Sequence, residues 1–491
     1  MKFIISLDQG TTSSRSILFN SKGEEVYVAQ KEFKQFFPKS GWVEHDPNEI
    51  ISTQMETLRE VIHHSKKLDG EVIALGITNQ RETIVAWQKS TGKAIYNAIV
   101  WQDTRTSDFC RTIKESYGDL IKKSTGLIVD SYFSGSKAKW ILDNVEEASQ
   151  LAEAQDLAFG TIDSWLIWNL TDGMTHATDV SNASRTMLFD IHELSWKQEL
   201  LDIFGIPAHT LPKVMNSSDQ YGSTLVEGLA IPICSAIGDQ QAALFGQCCF
   251  TEGQAKNTYG TGCFMLLNTG KKPVASNSGL LSTVGWRIGK ETTYALEGSV
   301  FVAGAAIQWL RDGLKILNDA SESEALALSA GDTSELIVVP AFAGLGAPYW
   351  DMFARGAILG ITRDTGRAEI TKATLESLAL QVRDVLLAMT KDSKIDLASL
   401  NVDGGASSNN FLMQFQSDVL NKPIDRPVCK ESTALGAAFL AGIEVGLWTL
   451  NDLVNIRKSE RVFNPQMENN VVEQKVQKWN KAIERVKNWV D

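Results

Sequence analysis

Twice in this chain an apolar run ends in a turn crowded with glycine and hydroxyl residues and then resumes, and that doubling constrains the fold more than any other feature. Residues 3–7 read as a buried strand. The polar turn Asp8-Gln9-Gly10-Thr11-Thr12-Ser13-Ser14-Arg15, a second apolar run at 16–19 and the closing Asn20-Ser21-Lys22-Gly23 complete a β-hairpin. The second half repeats the pattern with the turn Tyr259-Gly260-Thr261-Gly262, the apolar run 263–267 and Asn268-Thr269-Gly270. The length of 491 residues suits such a doubling, since domains of about 100 to 200 residues are usual and one core does not grow to that size. The boundary is expected between 247 and 253, dividing the chain into lobes 1–249 and 250–491.

Helical periodicities separate the strands, which predicts α/β lobes. Asp46-Pro47-Asn48-Glu49 combines a cap, a first-turn proline and a glutamate able to reach back, ahead of the apolar positions Ile50, Ile51, Met55, Leu58 and Ile62. A long helix is expected over 368–389, with Ile370, Leu375, Leu378, Val382 and Leu386 on its apolar side. The terminal stripe Val472, Val476, Trp479, Ile483, Val486 and Val490 is expected to cover its own domain.

Composition removes several classes of function. A formal net charge of −12 with no run of Lys or Arg argues against a nucleic-acid surface. It leaves a phosphate ligand open, because oriented backbone N–H groups and a metal hold phosphate without a basic surface. Cys110, Cys234, Cys248, Cys249, Cys263 and Cys429 show neither disulfide nor zinc spacing and are expected to be reduced thiols. The apolar N-terminal run is too short for a signal peptide and no apolar stretch approaches about 20 residues, so a soluble, cytoplasmic protein without membrane insertion is expected. The adjacent His63 and His64 point to different helix faces, which disfavours a metal site.

The turn at 8–15 has the parts a phosphate needs. A carboxylate leaves the strand, a glycine lets the backbone approach a ligand, and hydroxyls with free N–H groups follow. A plain hairpin would also fit those residues. Neither the GxxxxGK[ST] phosphate loop nor the protein-kinase signature set is present. The segments 8–15, Gly76-Ile77-Thr78-Asn79-Gln80-Arg81-Glu82-Thr83, 238–246, 257–264 and Asp403-Gly404-Gly405 nevertheless occur in the order of the FGGY carbohydrate kinases, and the chain resembles the glycerol-phosphorylating members of that family. Two further blocks agree, 132–140 with its Lys137-Ala138-Lys139-Trp140 ending and 344–350, so the resemblance spans nearly the whole chain.

The resemblance implies an α/β fold of two ribonuclease-H-like lobes of the actin-like ATPase type, with the active site in the cleft between them. It implies phosphorylation of glycerol by ATP to sn-glycerol 3-phosphate, with Mg²⁺, in glycerol catabolism. By the same resemblance Asp239 is the catalytic base and Asp8, with Asp239, faces the metal through water. Arg81, Glu82, Tyr132, Asp239 and Gln240 would hold the polyol between the apolar walls Trp101 and Phe264. Thr11, Thr12, Ser13, Arg15 and Thr261 would clasp the phosphates, and Gly304, Gln308, Gly405 and Asn409 would line the α-phosphate and adenosine end. A helix beginning near Ser408 after Gly404-Gly405 would present N–H groups to an anion, and the Ala/Gly-rich stretch 433–442 would let a helix pack close to the cleft. A pentulose or larger-polyol kinase of the same family, or an actin-like ATPase switch without an acceptor, are the rival readings. Relatives of this kind form homodimers or homotetramers. Some carry a Gly-Gly-Lys loop for a sugar bisphosphate or a phosphorylatable histidine, and residues 221–233 (YGSTLVEGLAIPI) contain neither, so neither control is expected.

Overall fold

Thirteen strands of the computed structural model, which describes residues 1–490, join into one sheet. Its first half runs Glu25–Glu32, Ser13–Asn20, Lys2–Gln9, Glu71–Asn79, Leu229–Gly238 and Ser218–Val226. The first three are antiparallel, the next two are added in parallel and the last turns back. The second half repeats this with Leu281–Ile288, Glu291–Val300, Cys263–Gly270 and Gln254–Tyr259 antiparallel, then Ser399–Asp403 and Ile424–Pro427 in parallel and Ser459–Phe463 as antiparallel edge. Between the halves the ladder thins to the single pair Ser218 and Ile288. The doubled hairpin therefore belongs to two lobes built alike.

Local differences from the sequence reading have physical causes. Only residues 10–12 of the first polar turn lie outside the strands. Ser14 and Ser16 remain in the second strand, buried, because Thr53 and Thr57 of the Pro47–Lys67 helix pair with their hydroxyls at 2.9 Å each. Asp46 caps that helix by accepting from the Asn48 N–H at 2.8 Å, but Glu49 turns away to accept from the Lys34 N–H at 3.2 Å and closes no capping box. The long helix is Arg367–Ser393, and Asn469–Val486 buries Trp479, Ile483 and Val486 on its own lobe, with Val490 beyond its end. Among the described residues no helix is long and apolar enough to cross a membrane, and the six cysteines carry free thiols.

The lobes meet through glycines. The Asp239–Gly246 helix leads out of the first half, and the Ser432–Glu444 helix, which belongs to the second, lies across the first half's strands with the Ser235 hydroxyl donating to the Ala437 carbonyl at 2.8 Å. A Cβ on Gly436 would stand 1.9 Å from the Ala242 carbonyl oxygen, one on Gly246 2.0 Å from that of Ser432, and one on Gly76 2.4 Å from that of Ala437. The backbones touch where side chains would normally intervene, as the Ala/Gly-rich stretch suggested. Gln35–Phe36 and Glu44–His45 join Ile84–Gln88, Ala98–Ile99 and Leu157–Thr161 in a separate small five-stranded sheet, and Trp101, Tyr132 and Arg185 lie in the same stretch of chain between Glu71–Asn79 and Ser218–Val226.

Two stability tests follow from these contacts. Gly436→Ala must push two backbones apart and lowers stability by about 1–3 kcal/mol, whereas Gly118→Ala, within the Ser107–Thr125 helix with only the Lys114 side chain nearby, raises it by about 0.5–1 kcal/mol. Thermal unfolding midpoints that move in the same direction for both would contradict the packing argument. Burial lowers the pKa of His45 and of His176 to about 4 from an unfolded value of 6.5, so the unfolded chain binds more protons between those values. Their contribution is complete above pH 6.5 and is lost as pH falls toward 4. The unfolding midpoint is expected to drop across that window and to drop less in His45→Gln; a flat profile would refute it.

Candidate active site

The first hairpin tip is tied down from beneath. Gly10 N–H donates to the Ser13 carbonyl at 3.0 Å, and the Gln80 amide donates to Gln9 Oε1 at 3.1 Å and to the Gly10 carbonyl at 3.0 Å. The Trp101 indole donates to Thr11 Oγ1 at 3.1 Å, and Gln30 donates to Ser13 Oγ at 3.1 Å; Thr12 is exposed. Arg15 bonds Asp8 beside it and, at 2.6 Å, Glu431 from the other lobe. Burial raises the Asp8 pKa, against the lowering pull of Arg15.

Strand Glu71–Asn79 ends in a sharp turn that aims two opposite charges inward. Glu82 sits at φ 61°, a left-handed conformation that is strained for a side-chain-bearing residue. It is held there by the Ser134 hydroxyl donating to its carbonyl at 2.9 Å, and the Thr83 N–H donates to the Arg81 carbonyl at 2.7 Å. Arg81 Nε lies 3.2 Å from Asp239 Oδ1 and 3.9 Å from Glu82 Oε1. Tyr132 stands over the same charges and packs edge-on against Trp101 with ring centroids 5.5 Å apart. Burial pushes the Tyr132 hydroxyl well above its ordinary pKa, which keeps it a hydrogen-bond donor. Asp239, first residue of its helix, accepts from the Gln240 N–H at 2.7 Å and keeps a side chain 31% exposed to the cleft. Its pKa is raised by burial and by Asp8, against Arg81 and Lys256.

Three charged groups that the sequence reading passed over complete the cluster. Glu297, on strand Glu291–Val300, accepts from Arg81 Nη1 at 2.5 Å and Nη2 at 3.2 Å and from Arg185 Nη2 at 2.9 Å, while Arg185 Nε donates to Glu82 at 2.6 Å. Burial would raise the Glu297 pKa, but Arg185 and Arg81 overcome it and bring it down to about 2. Lys256 is fully buried, donates to Gln240 and, at 3.0 Å, to Thr258, and burial lowers its pKa to about 8 against the pull of Asp403 and Asp239. The one available signal was Glu297, a charge that follows the apolar Tyr294-Ala295-Leu296 within a strand-like run. Lys137, within the 132–140 segment, donates to the Ser131 and Tyr132 carbonyls at 2.6 and 2.7 Å and so fixes the turn bearing Tyr132.

Across the second lobe lies a cavity of about 480 Å³ that brings together Thr261, Gly304, Gln308, Gly405 and Asn409. Its floor is main chain. A Cβ on Gly304 would meet the Gly260 carbonyl oxygen at 2.6 Å and one on Gly404, at φ 83°, the Tyr259 carbonyl oxygen at 2.5 Å, while Gly405 faces open space. A short 3₁₀ turn, Gly405–Ser408, intervenes before the Asn410–Leu420 helix, which starts later than expected. Asn409 caps that helix by accepting from the Leu412 N–H at 2.9 Å. Thr11, Thr12, Ser13 and Arg15 do not line this cavity. Phe264, half-buried between Thr258 and Ser299 in the sheet, makes none of the polar cluster's contacts.

Residues 3–246 match the FGGY family of carbohydrate kinases, N-terminal domain, and residues 255–445 its C-terminal domain. The chain is 57% identical to a glycerol kinase of Alkaliphilus metalliredigens, covering 99% of each sequence, and 56% identical to one of Geobacillus sp., covering 98% of each. The crystal structure of Plasmodium falciparum glycerol kinase with ADP superposes with a TM-score of 0.95 at 39% identity, covering 99% of this chain and 98% of that one. With both lobes matched in order, this chain belongs to the FGGY family of carbohydrate kinases.

Proposed function

We propose that this protein transfers the terminal phosphoryl group of ATP to a primary hydroxyl of glycerol, giving sn-glycerol 3-phosphate and ADP. The observation that carries the reading is the compact meeting of Arg81, Glu82, Tyr132 and Asp239 beside Trp101, which offers paired donors and acceptors to a small polyol. Full-length similarity to glycerol kinases supports the choice of acceptor. Gln240 adds an amide and Phe264 a second apolar wall.

Phosphoryl transfer requires positioning, charge neutralisation and one group to take the hydroxyl proton. Asp239 takes that role: its carboxylate is open to the cleft, and its raised pKa brings it nearer the pH at which it must accept a proton. Arg81 at 3.2 Å keeps it ionised and oriented. Asp8 and Asp239 each have a raised pKa and act on one another electrostatically, a pair that fits a hydrated divalent cation. Mg²⁺ bound there would neutralise charge on the transferred group; Asp8, with Asp239, would hold its water shell. Thr11, Thr12, Ser13 and Arg15 on one hairpin and Thr261 on the other would grip the phosphates, with Gly304, Gln308, Gly405 and Asn409 around the α-phosphate and adenosine. Lobes 1–249 and 250–491 would close on the substrates and exclude water, in a cytoplasmic homodimer or homotetramer.

Asp239→Asn is expected to reduce turnover by about a thousandfold or more while ADP still binds, measured by coupled ADP formation and by direct titration; near-normal turnover would remove Asp239 from its role. With the wild type, ADP formation should require glycerol, remain low with D-xylulose, and be indifferent to fructose 1,6-bisphosphate. Preference for the pentulose, or rapid ATP hydrolysis independent of any acceptor, would displace glycerol from the proposal.

A further inference from the structure

We propose that Glu297 and Arg185 are positioning residues of the acceptor site, holding Arg81 and Glu82 in their working orientation from across the lobe junction. The inference rests on the reading of Arg81 and Glu82 as the groups that grip the acceptor.

Arg81, Glu297, Arg185 and Glu82 form a closed ring of alternating charge. Glu297 takes both terminal nitrogens of Arg81, at 2.5 and 3.2 Å, which fixes the guanidinium plane and leaves Nε directed at Asp239, 3.2 Å away. Arg185 takes Glu297 with Nη2 at 2.9 Å and Glu82 with Nε at 2.6 Å, and its Nη1 is buried without a partner. All four side chains are no more than 5% exposed, and the two positive charges are balanced by two negative ones.

Glu297 can act this way because its strand is immobilised. Leu266 and Leu281 flank it in register on the neighbouring strands, so it lies inside the sheet. A Cβ on the next residue, Gly298, would meet Val385 at 2.5 Å, which shows how closely the strand is seated against the Arg367–Ser393 helix. Glu297 comes from the second lobe, whereas Arg81, Glu82 and Arg185 come from the first. Removing its charge leaves two guanidinium groups facing each other in a dry site, and Arg81 has no counter-ion there except Asp239 and the more distant Glu82.

The test is steady-state kinetics in a double-mutant cycle. Glu297→Gln is expected to raise the KM for glycerol at least tenfold and leave the KM for ATP within twofold. Arg81→Leu alone raises the glycerol KM, and adding Glu297→Gln to it changes little more, because the glutamate acts through the arginine. A merely structural glutamate would affect both substrates and give additive losses, which overturns the proposal. A Glu297→Gln enzyme with a glycerol KM within twofold of wild type overturns it too, and Arg81→Leu distinguishes the cause. If Arg81→Leu raises the KM, the acceptor-site reading stands and only the positioning role falls; if it does not, both fall. Should Glu297→Gln fail to fold, Glu297→Asp retains the charge with a shorter reach, and the same split between glycerol and ATP decides.

Discussion

Backbone contact between the Asp239–Gly246 and Ser432–Glu444 helices is the constraint on which the remaining architecture depends. With Gly436 against Ala242 and Gly246 against Ser432, there is no room for even one methyl group between them. The two halves of the sheet share one ladder pair, Ser218 with Ile288, so the helices and not the hydrogen-bond ladder register the lobes. Their common core joins Ile4, Ile17 and Phe19 of the first lobe to Leu266 and Trp286 of the second through Ala437, Ala438 and Phe439. Asp239 opens one of these helices and Glu431, the partner of Arg15, immediately precedes the other, so the proposed base and the anchor of the first hairpin inherit their placement from this packing.

Charge is handled by balance. Two arginines and two glutamates buried at the junction would be costly singly, since desolvation alone opposes each ionised form. Arranged as a ring they offset one another's charge, most fully at Glu297, whose pKa is held down to about 2 by Arg185 and Arg81 against burial. At Glu82 within the ring, as at Asp8 and Asp239 beside it, burial outweighs the neighbouring cations and the pKa rises. The site thus sets this charged ring beside two further carboxylates, Asp8 and Asp239, each paired with one arginine.

What could be read from the residues follows from how local the physics is. Hairpin tips, the Asp46-Pro47 helix start and the close-packing stretch at 433–442 are encoded by neighbours in sequence, and all three were legible. The segments carrying the resemblance also located Arg81, Glu82 and Asp239. Ser14 reads as a turn residue, and Ser16 as the start of an apolar run, because their partners, Thr53 and Thr57, lie some forty positions away on a helix. Glu297 and Arg185 escaped notice for the same reason, since each becomes meaningful only beside a partner over a hundred positions distant. Asn409 lines the second-lobe cavity and its side chain also caps the Asn410–Leu420 helix, a local role that its place after the glycines does not reveal.

The geometry also bears on how a phosphoryl acceptor would be told from water. Arg81 is engaged by Glu297 at its fork and by Asp239 at Nε, and Glu82 uses one oxygen on Arg185. What remains is the second oxygen of Glu82, the Tyr132 hydroxyl and the open edge of Asp239, with Trp101 closing one side. A water molecule bridges adjacent polar groups but is too small to span the whole set and has no carbon chain to lay on the indole. A small polyol can satisfy several at once with its hydroxyls while its carbon chain lies against the indole, so its binding is stronger only because the polar groups are held at fixed spacing. Rigidity of the charged ring is therefore part of acceptor selectivity: if Arg81 and Glu82 were free to rearrange, each could pair with solvent, and the distinction between alcohol and water would weaken.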